Sequence, residues 1–101
     1  MRKVKITAIR QTVYDDLIDK YENPIEHTCD IKVNDVFFSK DCTKPVGFCE
    51  SAWETILPFV KELSKGPTDF YDGWMKDKNT AMISCNDGFR PVSFLLQGID
   101  E

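Results

Sequence analysis

A chain of 101 residues with 42% hydrophobic and 30% charged residues has the make-up of one soluble globular domain, large enough for a single core without metals or disulfides. Its formal net charge of −4 speaks against nucleic acid or an anionic membrane as partner, because both need a basic surface to neutralise phosphate. The opening MRKVKITAIR alternates charged and β-branched residues where a leader or membrane span would be an apolar run, so neither is expected and a cytoplasmic location follows.

Lys3 to Ile9 has the alternation of a strand, with Val4, Ile6 and Ala8 on one face and Lys3, Lys5 and Thr7 on the other. Thr12 with Asp15 three residues on resembles a capping box. It predicts a helix whose buried stripe is Tyr14, Leu17, Ile18 and Tyr21, ended by Asn23-Pro24. Residues 24–30 have no periodicity and hold the one histidine, His27, close to Cys29. Asn34-Asp35 is turn chemistry, and Val36 to Ser39 is a short strand rich in β-formers.

The longest helical pattern comes next. Cys49, Ala52, Trp53, Ile56, Val60 and Leu63 recur at three- and four-residue steps and mark a core face over Cys49–Leu63. The start falls between Cys49 and Ser51, and Pro58 predicts a kink or a break, since it removes a hydrogen bond and crowds the preceding turn. Ser64 to Asn79 reads as a long loop carrying Phe70, Tyr71 and Trp74. Rings in such a loop either fold back on the core or line a ligand pocket. Thr80–Cys85 and Val92–Ile99 are the last strands, and Asp87-Gly88 between them signals a two-residue hairpin turn. The fold class that follows is α+β, a single domain over residues 1–101 in the order β-α-β-α-β-β. Its antiparallel or mixed curved sheet packs on the central helix around Val4, Ile6, Leu17, Phe37, Trp53, Ile56, Val60, Ile83, Val92 and Phe94.

The chemistry-bearing residues are the cysteines. In a reducing compartment all four are expected as thiols or ligands and not as disulfides. A two-residue turn at Asp87-Gly88 places Cys85 opposite Arg90, whose guanidinium would favour the thiolate, while Cys49 at a helix N-terminus faces unpaired N–H groups. Cys29, Cys49 and Cys85, with His27 and Cys42, offer metal ligands. Their scattered spacing lacks the paired ligands of zinc modules, so no metal and no cofactor is expected. No phosphate loop, dinucleotide fingerprint, nucleophile elbow or zincin motif occurs, which leaves the main nucleotide-binding and hydrolase readings without a foothold.

KVKIT, VNDVFF, KPVGFCESAW and ISCNDGFRPVSFLL together resemble a family of roughly hundred-residue uncharacterised proteins of anaerobic bacteria and archaea. The segments PVGFC..AW and C.DG.RPV.F carry the likeness, which spans nearly the whole chain. The resemblance implies cysteines at the positions of Cys29, Cys49 and Cys85 but not Cys42, a setting in an anaerobe's metabolism, and no established activity. Around Cys29 the chain departs, with Thr28 and Asp30 where the family has a small residue and a proline.

The function read from these residues is a small non-enzymatic ligand-binding or accessory module, its pocket formed near the 64–79 loop by Phe70, Tyr71 and Trp74. The alternatives are a thiol-dependent redox or metal-handling protein using Cys49 and Cys85, with Arg90 and Cys29, and a homodimeric interaction protein using a strand edge or the aromatic loop.

Overall fold

The computed structural model describes residues 2–24 and 31–100. Six elements follow one another as β1 (Lys3–Gln11), α1 (Asp15–Tyr21), β2 (Val36–Ser39), α2 (Glu50–Lys65), β3 (Thr80–Ser84) and β4 (Val92–Ile99). This is the α+β order read from the sequence. The four strands form one antiparallel sheet in the order β2-β1-β4-β3, and α2 lies across one of its faces.

Alternation and helical spacing meet in a single core. Val4, Ile6 and Ala8 of β1, Val92, Phe94 and Leu96 of β4 and Ala81 of β3 point to the helix side. From α2, Ala52, Trp53, Ile56, Val60 and Leu63 point back at them, all on the stripe the sequence displays. Burying a Val, Leu, Ile or Phe side chain stabilises by about 1.5–3 kcal/mol, so this two-layer contact dominates the fold's stability. Phe48, just before α2, is also buried, its ring 5.0 Å from that of Phe37 and 5.2 Å from that of Phe94. Phe37 and Ile83 are half-buried against the same core.

α2 runs through Pro58 as one element and so does not divide there. Pro58 and Glu54, four residues earlier, are both on the solvent side, where water can take the carbonyl that the missing N–H leaves unpaired. The C-terminus is held from far along the chain. Arg2 donates from Nε and Nη2 to the Leu63 carbonyl at 3.1 and 2.9 Å, and its Nη1 donates to Oδ1 of Asn79 at 2.9 Å. A cation there also opposes the negative end of the helix dipole.

Two expectations are corrected. α1 exists, but it buries none of its residues, and Leu17, read as core, is exposed. Its N-cap is Tyr14 and not Thr12, whose N–H instead donates to the Pro91 carbonyl at 2.9 Å. The hairpin is wider than a two-residue turn. Ser84 pairs with Ser93 and the Cys85 N–H donates to the Val92 carbonyl at 3.0 Å, so Cys85 stands opposite Val92 and Arg90 belongs to the connecting loop. A two-residue turn would have placed Pro91 opposite Ser84 inside the ladder, where it has no N–H to give.

Among the described residues no helix packs on the other face of the sheet. The register aligns Phe38, Lys5, Gln97 and Thr80 in one row and Val36, Thr7, Leu95 and Met82 in the next. A bulge at Ile9 in β1 brings Arg10 opposite Ser93 on this same face. Val36 and Phe38 are 44% and 52% exposed, so a substantial apolar surface remains in contact with water.

Candidate functional site

The 66–79 loop is built by its own polar groups. Gly66 ends α2, and the Thr68 N–H donates to the Lys78 carbonyl at 2.9 Å, which brings the two ends of the loop together. Between them Asp69 organises a tight reversal, with Oδ1 accepting from the Gly73 N–H at 2.8 Å and its carbonyl accepting from the Asp72 N–H. Tyr71, Asp72 and Gly73 have φ values of 52°, 54° and 101°. Two consecutive non-glycine residues in the left-handed region cost on the order of 1–2 kcal/mol each.

Four rings converge on this turn. Phe59 of α2 meets Phe70 at 5.3 Å between centroids, Phe70 meets Trp74 edge-on at 6.4 Å, and Tyr71 meets Trp74 edge-on at 5.4 Å. The two roles open to loop aromatics are divided among them. Phe70 is half-buried and covers the helix, whereas Tyr71 and Trp74 are 73% and 41% exposed and stand outward as a perpendicular pair. Acidic groups sit nearby in the chain at Asp69, Asp72 and Asp77, and Lys78 Nζ approaches Asp69 Oδ2 at 3.9 Å.

The thiols are distributed differently. Cys49 is the N-cap of α2, its carbonyl accepting from the Trp53 N–H at 2.9 Å and its Sγ lying 3.3 Å from Ser51 Oγ. Cys85 sits at the end of β3 and its Sγ accepts from the Val92 N–H at 3.3 Å. Both are half-buried against the one core, and Cys42, at 3.3 Å from Ser64 Oγ, is half-buried as well. Cys42, Cys49 and Cys85 are not in disulfides. Cys29 and His27 lie outside the described residues, and among the described residues no three His, Cys, Asp or Glu side chains are grouped to hold a metal.

Arg90, expected beside Cys85, is engaged elsewhere. Its Nη1 lies 2.8 Å from Oε1 and 3.1 Å from Oε2 of Glu22, just beyond α1, and both side chains are largely shielded from water. With the Tyr14 N–H donating to the Phe89 carbonyl at 2.9 Å, this pair fastens α1 to the β3–β4 loop. Glu22 carried no sequence signal for this role, since its partner is far along the chain.

A concavity of about 300 Å³ lies on the helix-free face of the sheet, lined by Ile9, Arg10, Met82 and Ser93. It is across the sheet from Phe59 and Phe70, and so is separate from the 66–79 loop. The alternation of Val4, Ile6 and Ala8 with Lys3, Lys5 and Thr7 already marks one face as inward and the other as solvated, whereas the concavity itself has no signal in the sequence.

Comparison of the chain with protein-family models, with curated proteins and with solved structures finds no match. The resemblance carried by PVGFC..AW and C.DG.RPV.F therefore rests on those segments alone.

Proposed function

We propose that this protein is a non-enzymatic binding module whose recognition element is the 66–79 loop, with Tyr71 and Trp74 gripping a flat apolar or aromatic group of a small-molecule ligand. One observation carries the reading: two adjacent large rings stand exposed at 79° to each other on a turn whose backbone is held left-handed. Rings that served only to cover the core would bury their faces, as Phe70 does. An exposed perpendicular pair instead offers one ring face and one ring edge to a bound group, and aromatic contacts of that kind contribute about 0.5–1.5 kcal/mol beyond the area they bury. Phe59 and Phe70 fix the pair from behind, so little side-chain freedom remains to be lost on binding.

The test is a screen of aromatic and heteroaromatic metabolites by two-dimensional amide and indole NMR. A ligand is expected to shift the Trp74 indole and Gly73 amide signals, and Tyr71→Ala and Trp74→Ala are expected to abolish the shifts while the core signals stay in place. Shifts that map instead to Cys49 and Cys85, or a screen in which no compound moves the loop, would overturn the reading.

A further inference from the structure

We propose that the concavity beside the β1 bulge is a binding site for a small monocarboxylate with an apolar tail, the carboxylate held by Arg10 and Ser93 and the tail by Ile9 and Met82. These residues are separate from the 66–79 loop, so the site stands whether or not that loop binds a ligand.

The bulge is what builds the site. In an unbroken strand the alternation that puts Ala8 on the helix side would put Arg10 there too, and leave Ile9 alone on the other face. The register shift between Ala8 and Arg10 instead sets Arg10 opposite Ser93, and both Ile9 and Arg10 line the concavity. Bulges interrupt a ladder and re-aim a side chain, and here the side chain re-aimed is a cation placed next to an apolar neighbour. Met82 closes the concavity from β3. Its volume is about 300 Å³, which at about 30 Å³ per water molecule suits a ligand of about ten non-hydrogen atoms.

The polar groups that meet there are unengaged. Among the described residues Arg10 makes no ion pair, and neither its guanidinium nor the Ser93 hydroxyl takes part in a hydrogen bond. A guanidinium presents two parallel N–H groups to the two oxygens of a carboxylate, and a hydroxyl beside it can donate to one of the same oxygens. The remaining lining, Ile9 and Met82, is 41% and 37% exposed and offers no charge or hydroxyl, so the rest of the ligand is apolar.

The surrounding sheet selects the sign. No strand contains an aspartate or glutamate, and the charged residues on this face are Lys3, Lys5 and Arg10, all basic. In a chain of net charge −4 this is a local reversal of sign, which draws an anion to this face and away from the rest of the surface. One guanidinium in the concavity balances one negative charge, hence a monocarboxylate.

The test is a titration of the intact chain with hexanoate at constant low ionic strength, followed by NMR. Hexanoate is expected to shift the Arg10 Nε–H, the Ser93 amide and the methyl signals of Ile9 and Met82 along a saturating curve while the Trp74 indole stays in place. Hexanamide keeps the tail without the charge, acetate keeps the charge without the tail, and each is expected to bind at least about tenfold more weakly. Arg10→Gln is expected to weaken hexanoate by about the same factor. Hexanamide or acetate binding as well as hexanoate overturns the proposal, as do shifts that never saturate, shifts confined to the 66–79 loop, or an Arg10→Gln chain that binds hexanoate unchanged. Should Arg10→Gln fail to fold by circular dichroism, the three compounds on the native chain decide the matter.

Discussion

The guanidinium of Arg2 lies over Gly98, in the space where any other residue would carry its Cβ. A Cβ built on Gly98 would overlap both Nη2 and Cζ of Arg2. The glycine in β4 is therefore a condition for the clamp that Arg2 places on the Leu63 carbonyl and on Asn79. Gly98→Ala is expected to cost about 2 kcal/mol through this overlap, and Arg2→Ala a similar amount through the lost charged hydrogen bonds. The two losses share one cause, so the double variant should fall short of their sum by roughly 1 kcal/mol, measurable by urea denaturation of the four proteins. Strict additivity would show that the side chain swings aside freely and that the clamp contributes nothing.

Glu22 and Arg90 form the largely shielded ion pair that ties α1 to the β3–β4 loop. Glu22→Gln leaves the guanidinium without its counter-charge and is expected to destabilise by about 2 kcal/mol, less than a fully buried pair because part of each side chain remains wet. The local effect is more telling than the global one. Hydrogen exchange of the Ile18 and Glu22 amides, which bond within α1 and at its end, should accelerate while the β1–β4 amides hold their rates. Equal acceleration everywhere would mean that the pair supports the whole fold and not the attachment of one helix.

α2 and the four strands were legible because each buries one face against the other, and burial imposes the 3.6- and 2-residue periods that a sequence displays. α1 shows the limit of the same signal. Tyr14, Leu17 and Tyr21 correctly announced a helix, but a stripe does not say how far it is covered, and among the described residues none of α1 is buried. The hairpin shows another limit. Shifting its register by two residues leaves Ile83 and Val92 on the same face, so hydrophobic pattern could not choose between registers, and the choice fell to Pro91 and Asp87. Oδ1 of Asp87 accepts from both the Phe89 and Arg90 N–H groups, at 2.8 and 3.2 Å, and so holds open a loop wider than Asp-Gly suggests. Arg2 and Glu22 were illegible because their partners are distant in sequence.

The four-ring cluster separates rings that pack from rings that present. Phe70→Ala removes the half-buried ring against Phe59 and is expected to cost about 2–3 kcal/mol, whereas Tyr71→Ala is expected to cost under about 1 kcal/mol. Asp72→Gly should stabilise by about 1 kcal/mol, because glycine holds the positive φ of 54° without steric cost. Thermal denaturation of the three variants gives the order Asp72→Gly above the native chain, then Tyr71→Ala, then Phe70→Ala. A large loss at Tyr71 would assign that ring to the core and count against its role as a contact for ligand.

Pro58 offers the opposite kind of variant, one that should strengthen the fold. It stands in the interior of α2, where proline costs about 3 kcal/mol relative to alanine in an unconstrained helix. Its solvent-side position lets water recover part of that cost at the carbonyl of Glu54, and the stiff ring also lowers the entropy of the unfolded chain. Pro58→Ala restores the N–H and the helical hydrogen bond, and the net gain expected is about 1–2 kcal/mol. Because Trp53 sits on the buried face of the same helix, its fluorescence spectrum should be unchanged while the urea midpoint rises. A loss of stability would mean that α2 is bent at Pro58 to fit the sheet, since straightening the helix would then pull Ile56 and Val60 out of register with Phe94 and Leu96.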